Sequence, residues 1–308
     1  MAPDDNQSAI ERACSRPYPL IAFDWDGTAV PHRKDPAQDV VSRVEKLAEL
    51  GVINAIITGT NINNLSGTFF DLVRPHLRHA LLACMNRGSE VFSFDEAGNR
   101  IVLYARKSQP WEDEAMDAIA ITVRDELKAK YGLESEIIFN RLNRRKIDII
   151  PLPQWSEPPK ERIGELLKAV NERLDACGIV GGIKAIMDRV DELAEQHGID
   201  IRLTTDVKHV ELGLTDKSDS VAYLVDQVAR PRGIPNEDIV FLGDEFGPID
   251  GFAGSDYKTT GVEGAAYLSV GKEPNGVPDG VLHLGGGVPR FLEFLDRQIQ
   301  LHGGDPRR

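Results

Sequence analysis

Apolar and polar positions follow two different periods in the first hundred residues, and each period predicts a different kind of element. Three short apolar runs are typical of strands buried on both faces of a parallel sheet. These runs are Tyr18–Phe23, Val52–Thr58 and His79–Cys84. Gln38–Leu50 carries apolar residues at helical spacing and is followed by Gly51, which favours a helix end. With a further helix over Asn61–Val73, the alternation predicts a doubly wound parallel sheet.

The pattern changes after the third strand. Glu90–Phe94 and Arg100–Tyr104 flank a Gly98-Asn99 turn and predict a hairpin. The residues up to about 206 then mix helices and strands without the earlier rhythm. From Lys217 the alternation returns, with a helix over Ser218–Val228, strands over Asp238–Leu242 and Ala265–Val270, and a helix over Pro289–Leu301. We therefore predict an α/β core domain (18–106 and 207–308), an inserted α+β domain (107–206) and a disordered tail (1–17).

Composition and charge exclude several classes of function. The 308 residues carry a net charge of −13, and no basic stripe is visible beyond Arg141–Lys146, which disfavours nucleic-acid binding. Three widely spaced cysteines have no metal-ligand spacing and predict free thiols in a reducing compartment. The sequence has no apolar stretch of signal-peptide or membrane-spanning length, so we expect a cytoplasmic protein.

Polar residues follow three of the predicted core strands at the point where each strand ends. The first strand is followed by Asp24-Trp25-Asp26-Gly27-Thr28, the second ends in Thr58-Gly59-Thr60-Asn61, and a later one is followed by Gly243-Asp244-Glu245. Ligands bind beyond the carboxyl ends of the strands in such sheets. Several carboxylates meeting there require a cation, and their hard oxygen atoms favour Mg²⁺.

These residue types indicate a phosphoryl-transfer reaction. The carboxylate of Asp24 can attack phosphorus and form an aspartyl-phosphate. Asp26 can protonate the leaving oxygen and then deprotonate the attacking water. Thr58 offers a hydroxyl donor to a phosphate, and Lys217 supplies a fixed positive charge at the start of a helix.

This set of residues resembles the haloacid dehalogenase superfamily of phosphotransferases. Asp24–Thr28 (DWDGT) resembles the first motif of the superfamily, Thr58 the second, Lys217 the third and Gly243-Asp244-Glu245 the fourth, in the right order. The resemblance covers about residues 18–300. It implies that Asp24 is nucleophile and metal ligand, that Asp26 is acid/base and lends its backbone carbonyl to Mg²⁺, and that Asp244 is a further metal ligand. The fourth motif here lacks an outer acid, and we expect Glu245, Asp250 or a water molecule to replace it; Glu245 is the metal ligand that we predict.

The inserted domain resembles the large cap of the sugar-phosphatase branch, which includes trehalose-, sucrose- and mannosyl-phosphatases and phosphomannomutases. The only dense basic cluster of this acidic sequence lies there, so we expect substrate contacts from it. The predicted substrate-binding residues are Arg141, Asn143, Arg144 and Arg145 in the inserted domain, and Gly59, Asn61 and Asn86 in the core. Arginine suits bidentate capture of phosphate or carboxylate.

The resemblance leads to one main hypothesis and two alternatives. The main hypothesis is a Mg²⁺-dependent phosphatase that acts on a small phosphorylated metabolite, and a sugar phosphate is the substrate class that we expect. A phosphomutase would use the same aspartates but return the phosphoryl group to the sugar. A catalytically silent sugar-phosphate-binding protein would keep the fold without turnover. The sequence leaves the substrate and the oligomeric state open.

Overall fold

A mixed sheet lies at the centre of the first of two units that the chain forms. The computed structural model describes residues 3–156, 158, 162–249 and 251–305. The core unit consists of the described residues within Met1–Ala105, Lys217–Pro248 and Ala253–Arg308. The inserted unit consists of the described residues within Arg106–Asp216 and Ile249–Phe252.

The core sheet has eight strands among the described residues. They are β1 (Leu20–Phe23), β2 (Ile53–Ile57), β3 (Leu81–Met85), β4 (Glu90–Phe94), β5 (Arg100–Ala105), β10 (Ile239–Gly243), β11 (Ala266–Ser269) and β12 (Val281–His283). Their order is β12-β11-β10-β1-β2-β3-β4-β5. All pairs from β12 to β3 are parallel, and β4 and β5 add an antiparallel hairpin at one edge. The predicted doubly wound α/β core is confirmed.

Apolar side chains cover both faces of this sheet, as the continuous apolar runs predict. On one face, Ile21 and Phe23 join a cluster with residues of two helices; on the other, Leu20 and Ala22 join a second cluster. The core helices are α1 (Pro3–Cys14), α2 (Gln38–Glu49), α3 (Asn63–Ser66), α7 (Lys217–Tyr223) and α8 (Gly287–Leu301). Helices α2 and α8 contribute to the first cluster and α7 to the second.

Three local predictions for the core differ from the structure. The predicted disordered tail contains α1, whose Ala13 and Cys14 pack against the first core cluster. The predicted helix over Asn61–Val73 is reduced to α3 and a separate 3₁₀ turn, Phe70–Leu72. The helix predicted over Ser218–Val228 begins one residue earlier, as α7, and passes into a π-helix, Leu224–Ala229.

The inserted unit is built on an antiparallel sheet of order β6-β7-β9-β8. Its strands are β6 (Glu136–Arg141), β7 (Arg144–Asp148), β8 (Arg202–Thr205) and β9 (His209–Gly213), and its helices are α4 (Pro110–Tyr131), α5 (Ile163–Ala176) and α6 (Gly182–His197). The main segment of the unit ends at Asp216, ten residues later than the predicted 206/207 boundary, because β9 pairs with both β7 and β8. Among the described helices, none combines the length and apolarity that crossing a membrane requires.

Candidate active site

Three neighbouring strands bring the predicted catalytic segments to one edge of the core sheet. Phe23 of β1 pairs with Ile56 of β2 on one side and with Leu242 of β10 on the other. The backbone N–H of Asp24 still donates to Leu242 O at 2.9 Å. The residues that follow these strands, including Asp24, Thr58 and Asp244, therefore lie at the same edge, as their positions in the sequence predict.

The tryptophan between the two aspartates anchors their loop in the core. Trp25 is fully buried, and its ring contacts Phe69 edge-on with the centroids 4.9 Å apart. Its carbonyl oxygen accepts hydrogen bonds from the N–H groups of Ala29 and Val30. Because successive side chains of an extended segment point to opposite sides, a core side chain at Trp25 fixes the backbone from which both carboxylates project.

Lys217 connects two buried carboxylates. Its Nζ donates to Asp24 Oδ1 at 2.7 Å and to Asp256 Oδ1 at 2.6 Å. All three side chains are at most 10% exposed. Burial alone would lower the pKa of Lys217, but the charges of Asp24 and Asp256 and its hydrogen bonds to both raise this pKa above its ordinary value. The lysine therefore keeps its positive charge at the centre of the site.

Asp256 is the site residue that the sequence analysis missed. Its Oδ2 accepts hydrogen bonds from the backbone N–H groups of Asp244 and Glu245, both at 2.9 Å. Gly243 makes room for it, because a Cβ at Gly243 would lie 2.4 Å from the Asp256 carboxyl carbon. Asp256 thus fixes the lysine and the loop after β10 at once. The sequence signal was weak, since Asp256 follows Asp244 by twelve positions.

Three carboxylates of this site form a group that fits a hard divalent cation. Oxygen atoms of Asp24, Asp244 and Asp256 all lie within 4.8 Å of one another. Among the described residues, this group includes Asp256, which was not predicted, and does not include the carboxylate of Glu245, whose role as a metal ligand stays a prediction. Asp250, the other residue considered for it, lies outside the described residues. A set of carboxylate oxygens is the donor type that Mg²⁺ prefers.

Two threonines belong to the same edge. Thr28, which the sequence analysis quoted but gave no role, donates its hydroxyl to Asp244 Oδ1 at 3.1 Å and so links the loops after β1 and β10. Thr58 is buried, and its Oγ1 accepts the backbone N–H of Thr60 at 3.4 Å. The predicted neighbours Gly59 and Asn61 follow in the same loop, and Asn61 Oδ1 accepts the N–H of Asn64 at 3.2 Å just before α3.

Asn86 lies in a strained turn behind the loop that carries Thr58. Asn86 and Arg87 both adopt a left-handed backbone with φ of 51°, and their N–H groups donate to Thr60 O and Thr58 O. Left-handed non-glycine residues cost roughly 1–3 kcal/mol each and concentrate at functional sites. The carboxamide of Asn86 donates to Glu90 Oε2 at 2.6 Å. The described geometry of Asn86 is thus that of a residue supporting the loop.

Most of the predicted basic cluster in the inserted unit is engaged in contacts within that unit. Buried Arg144 contacts Glu211 at 3.3 Å and donates to the carbonyl of Thr215. Buried Arg145 pairs with Asp113 and Asp117. The carboxamide of Asn143 bonds to backbone groups of Arg106 and Ser108. Arg141, at the end of β6, is the exposed member of the predicted set.

A second group of metal-ligand types lies on the sheet of the inserted unit. It contains Asp206, His209 and Glu211. A cation from the protein already lies against it, since Lys146 Nζ is 2.6 Å from Glu211 Oε1 and 3.5 Å from Asp206 Oδ2. Lys146 thus balances part of the negative charge of this group, as Lys217 does in the core site.

Comparisons with known proteins establish the fold. No protein-family model and no curated protein matches the sequence. An N-terminally truncated IMP-nucleotidase of Plasmodium falciparum is similar in structure, with a TM-score of 0.58 and 14% identity over 96% of this chain and 74% of that one. The C-terminal domain of C. albicans trehalose-6-phosphate phosphatase gives a TM-score of 0.58 and 15% identity over 97% of both chains. These similarities confirm the predicted fold, an α/β core with an inserted α+β domain, which this chain shares with the two phosphatases.

Proposed function

We propose that this protein is a Mg²⁺-dependent phosphatase that hydrolyses a small phosphorylated metabolite through an aspartyl-phosphate. The observation that carries the proposal is the buried contact of Lys217 Nζ with both Asp24 and Asp256, beside Asp244. In such a cluster the ammonium group of Lys217 can attract a phosphate oxygen, while the Asp24 carboxylate beside it is available as the nucleophile.

The charge of the cluster supports a divalent cation. Its three carboxylates outnumber the single ammonium group by two formal charges, and Asp24 and Asp256 are buried. Such an excess of like charge is costly in a low-dielectric site unless a cation balances it. Asp24, Asp244 and the backbone carbonyl of Asp26 would hold Mg²⁺, with Asp256 close by. Bound there, the ion would lower the repulsion between the substrate phosphate and the nucleophile.

The proposed reaction has two steps. An oxygen of Asp24 attacks phosphorus, the bond from phosphorus to the ester oxygen breaks, and Asp26 gives its proton to the departing oxygen. Asp26 then takes a proton from water, whose oxygen attacks the aspartyl-phosphate. Inorganic phosphate leaves and the Asp24 carboxylate is regenerated. Lys217 and the hydroxyl of Thr58 stabilise the negative charge on the transferred group.

Sugar phosphates are the first substrate class to test. The fold is similar to that of a trehalose-6-phosphate phosphatase and of an IMP-nucleotidase, so nucleoside monophosphates form the second class. The inserted unit, including exposed Arg141, is the proposed source of contacts to the part of the substrate that leaves.

The experiment is a phosphate-release screen over sugar phosphates and nucleoside monophosphates, with Mg²⁺ or with EDTA. We expect release with Mg²⁺ only, and none from Asp24→Asn. Exposed Asp39 provides the matched control, because Asp39→Asn removes one carboxylate from the surface at the start of α2. Folded Asp24→Asn with wild-type turnover would overturn the proposal.

The two alternative functions give different results in the same screen. A phosphomutase would convert a sugar phosphate into its isomer without a matching release of inorganic phosphate. A silent binding protein would bind a member of the panel in the presence of Mg²⁺ and turn over none. Release of phosphate without isomerised product supports the phosphatase.

A further inference from the structure

A second cation lies beside the proposed acid/base. Arg33 Nε is 3.3 Å from Asp26 Oδ2. The Asp26 side chain is 18% exposed and that of Arg33 is 46% exposed. No motif of the resemblance includes Arg33. Lys217 is already shared between Asp24 and Asp256, so the described contacts assign a different cation to each of the two aspartates of the loop.

The backbone that carries Arg33 is fixed close to Asp26. Gly27 N donates to Val30 O at 2.7 Å, and Asp26 and Val30 form an isolated bridge. Val30 is buried in the core cluster. The following turn is closed by the backbone N–H of Asp35, which donates to His32 O at 2.8 Å. Arg33 therefore starts from an ordered turn three residues after the anchor at Val30.

A carboxylate that delivers a proton must have a defined orientation. An acid of this kind has to come within about 2.6–3.2 Å of the oxygen that it protonates, and a free aspartate can rotate about two side-chain bonds. An arginine stays charged, and its attraction for one carboxylate oxygen favours the side-chain orientation in which the two groups lie close together. Contact with Arg33 thus restricts the rotation of Asp26.

We propose that Arg33 is a positioning residue that orients Asp26 for protonation of the leaving group. This inference rests on the proposed phosphatase function, in which Asp26 is the acid. Loss of Arg33 should lower kcat/KM most for those substrates whose leaving oxygen most needs a proton. An alkoxide is a poor leaving group without protonation, whereas nitrophenolate is a stable anion and leaves without it.

The test compares kcat/KM for two esters in wild type and Arg33→Met. The esters are p-nitrophenyl phosphate and the alkyl phosphate of the screen that wild type hydrolyses fastest. Because kcat/KM covers only the steps up to departure of the alcohol, hydrolysis of the aspartyl-phosphate does not contribute to the comparison. General acid catalysis contributes about 10²–10⁴-fold. We expect kcat/KM to fall at least about ten-fold more for the alkyl ester than for the aryl ester.

Two further variants control for charge and for folding. Lys34→Met removes the neighbouring positive charge of the same loop and is expected to leave the ratio of the two kcat/KM values unchanged. Arg33→Lys keeps the charge without the planar guanidinium. We expect its ratio of the two kcat/KM values to lie between those of Arg33→Met and wild type. Circular dichroism checks that each variant is folded.

The outcomes separate the inference from the function on which it rests. If Arg33→Met lowers kcat/KM of both esters by the same factor, or of neither, Arg33 forms only a surface ion pair and the inference fails while the phosphatase stands. If wild type releases phosphate from neither ester, the proposed function itself fails, and the inference fails with it.

Discussion

Replacement of Asp256 should show how strongly the core unit depends on the buried cluster. Its carboxylate makes three described hydrogen bonds, to Lys217 Nζ and to the N–H groups of Asp244 and Glu245. The Asp256 side chain is 3% exposed and that of Lys217 is 5% exposed, so solvent screens their interaction little. Any substitution of Asp256 therefore leaves at least one of these three donors without its acceptor.

Two substitutions divide the cost between charge and hydrogen bonds. Asp256→Asn can turn its carbonyl oxygen to the two N–H groups but then presents an amide donor to Lys217. Breaking a buried ion pair on one side costs about 3–5 kcal/mol; because Lys217 keeps its contact with Asp24, we expect about 3 kcal/mol. Asp256→Ala also leaves the N–H groups of Asp244 and Glu245 unsatisfied, which adds about 1–3 kcal/mol for each of the two groups that stays away from water.

The assay is urea unfolding of the core unit followed by the fluorescence of Trp25. The sequence has three tryptophans, and a background of Trp111→Phe and Trp155→Phe leaves Trp25 alone. This matters because the inserted unit can unfold separately, and a mixed signal would not report one transition. Trp25 is fully buried, so its emission should shift to longer wavelength when the core opens.

A double variant tests whether the effect passes through Lys217. If Lys217 and Asp256 interact as described, Asp256→Asn combined with Lys217→Met should destabilise less than the sum of the single variants, by about 0.5–3 kcal/mol. Strict additivity would contradict the coupling. Equal unfolding midpoints for wild type and Asp256→Asn would refute the reasoning as a whole.

Further predictions concern packing, thiol reactivity and acid stability. Gly243→Ala brings a Cβ within 2.4 Å of the Asp256 carboxyl group, so we expect a lower urea midpoint and reduced phosphate release. Burial raises the pKa of Cys84 to about 12, so native protein treated with iodoacetamide at neutral pH should remain unlabelled at Cys84, as peptide mass spectrometry can check. The hydrogen bond with Arg106 holds the pKa of Glu112 below its usual value, even though burial opposes this. The stabilisation is therefore complete above the ordinary carboxyl pKa and is lost as pH falls through the lowered value, so the unfolding midpoints of wild type and Glu112→Gln should converge in acid.

The position of the site could be predicted from the sequence because it depends on local features. An apolar run in the sequence predicts a buried strand, and the polar residues that follow the strand must lie at the edge of the sheet. Asp24, Thr58 and Asp244 follow this rule. Trp25 also fits it, since the core side chain between two carboxylates provides the anchor of their loop.

Asp256 could not be predicted because its position depends on the path of a loop. The segment after Asp244 carries no periodic pattern, and the close approach of Asp256 to the backbone depends on a missing Cβ at Gly243. A short 3₁₀ turn, Ser255–Thr259, presents the carboxylate, and the Asp256 N–H donates back to Glu245 O at 2.9 Å. Closure of this kind is visible only in three dimensions.

The basic cluster of the inserted unit shows that a run of like charges in the sequence does not reveal which acidic residues pair with it. Asp117, Glu211 and the other acids that neutralise Arg144 and Arg145 lie 28 to 67 positions away in the sequence. A substrate anion that drew Arg144 away from Glu211 would have to offset a buried pair whose disruption costs about 3–5 kcal/mol. Exposed Arg141 meets no such penalty for burial. The physical cost of recruiting each arginine therefore favours Arg141 over its neighbours as the first residue to replace when substrate contacts of the inserted unit are tested.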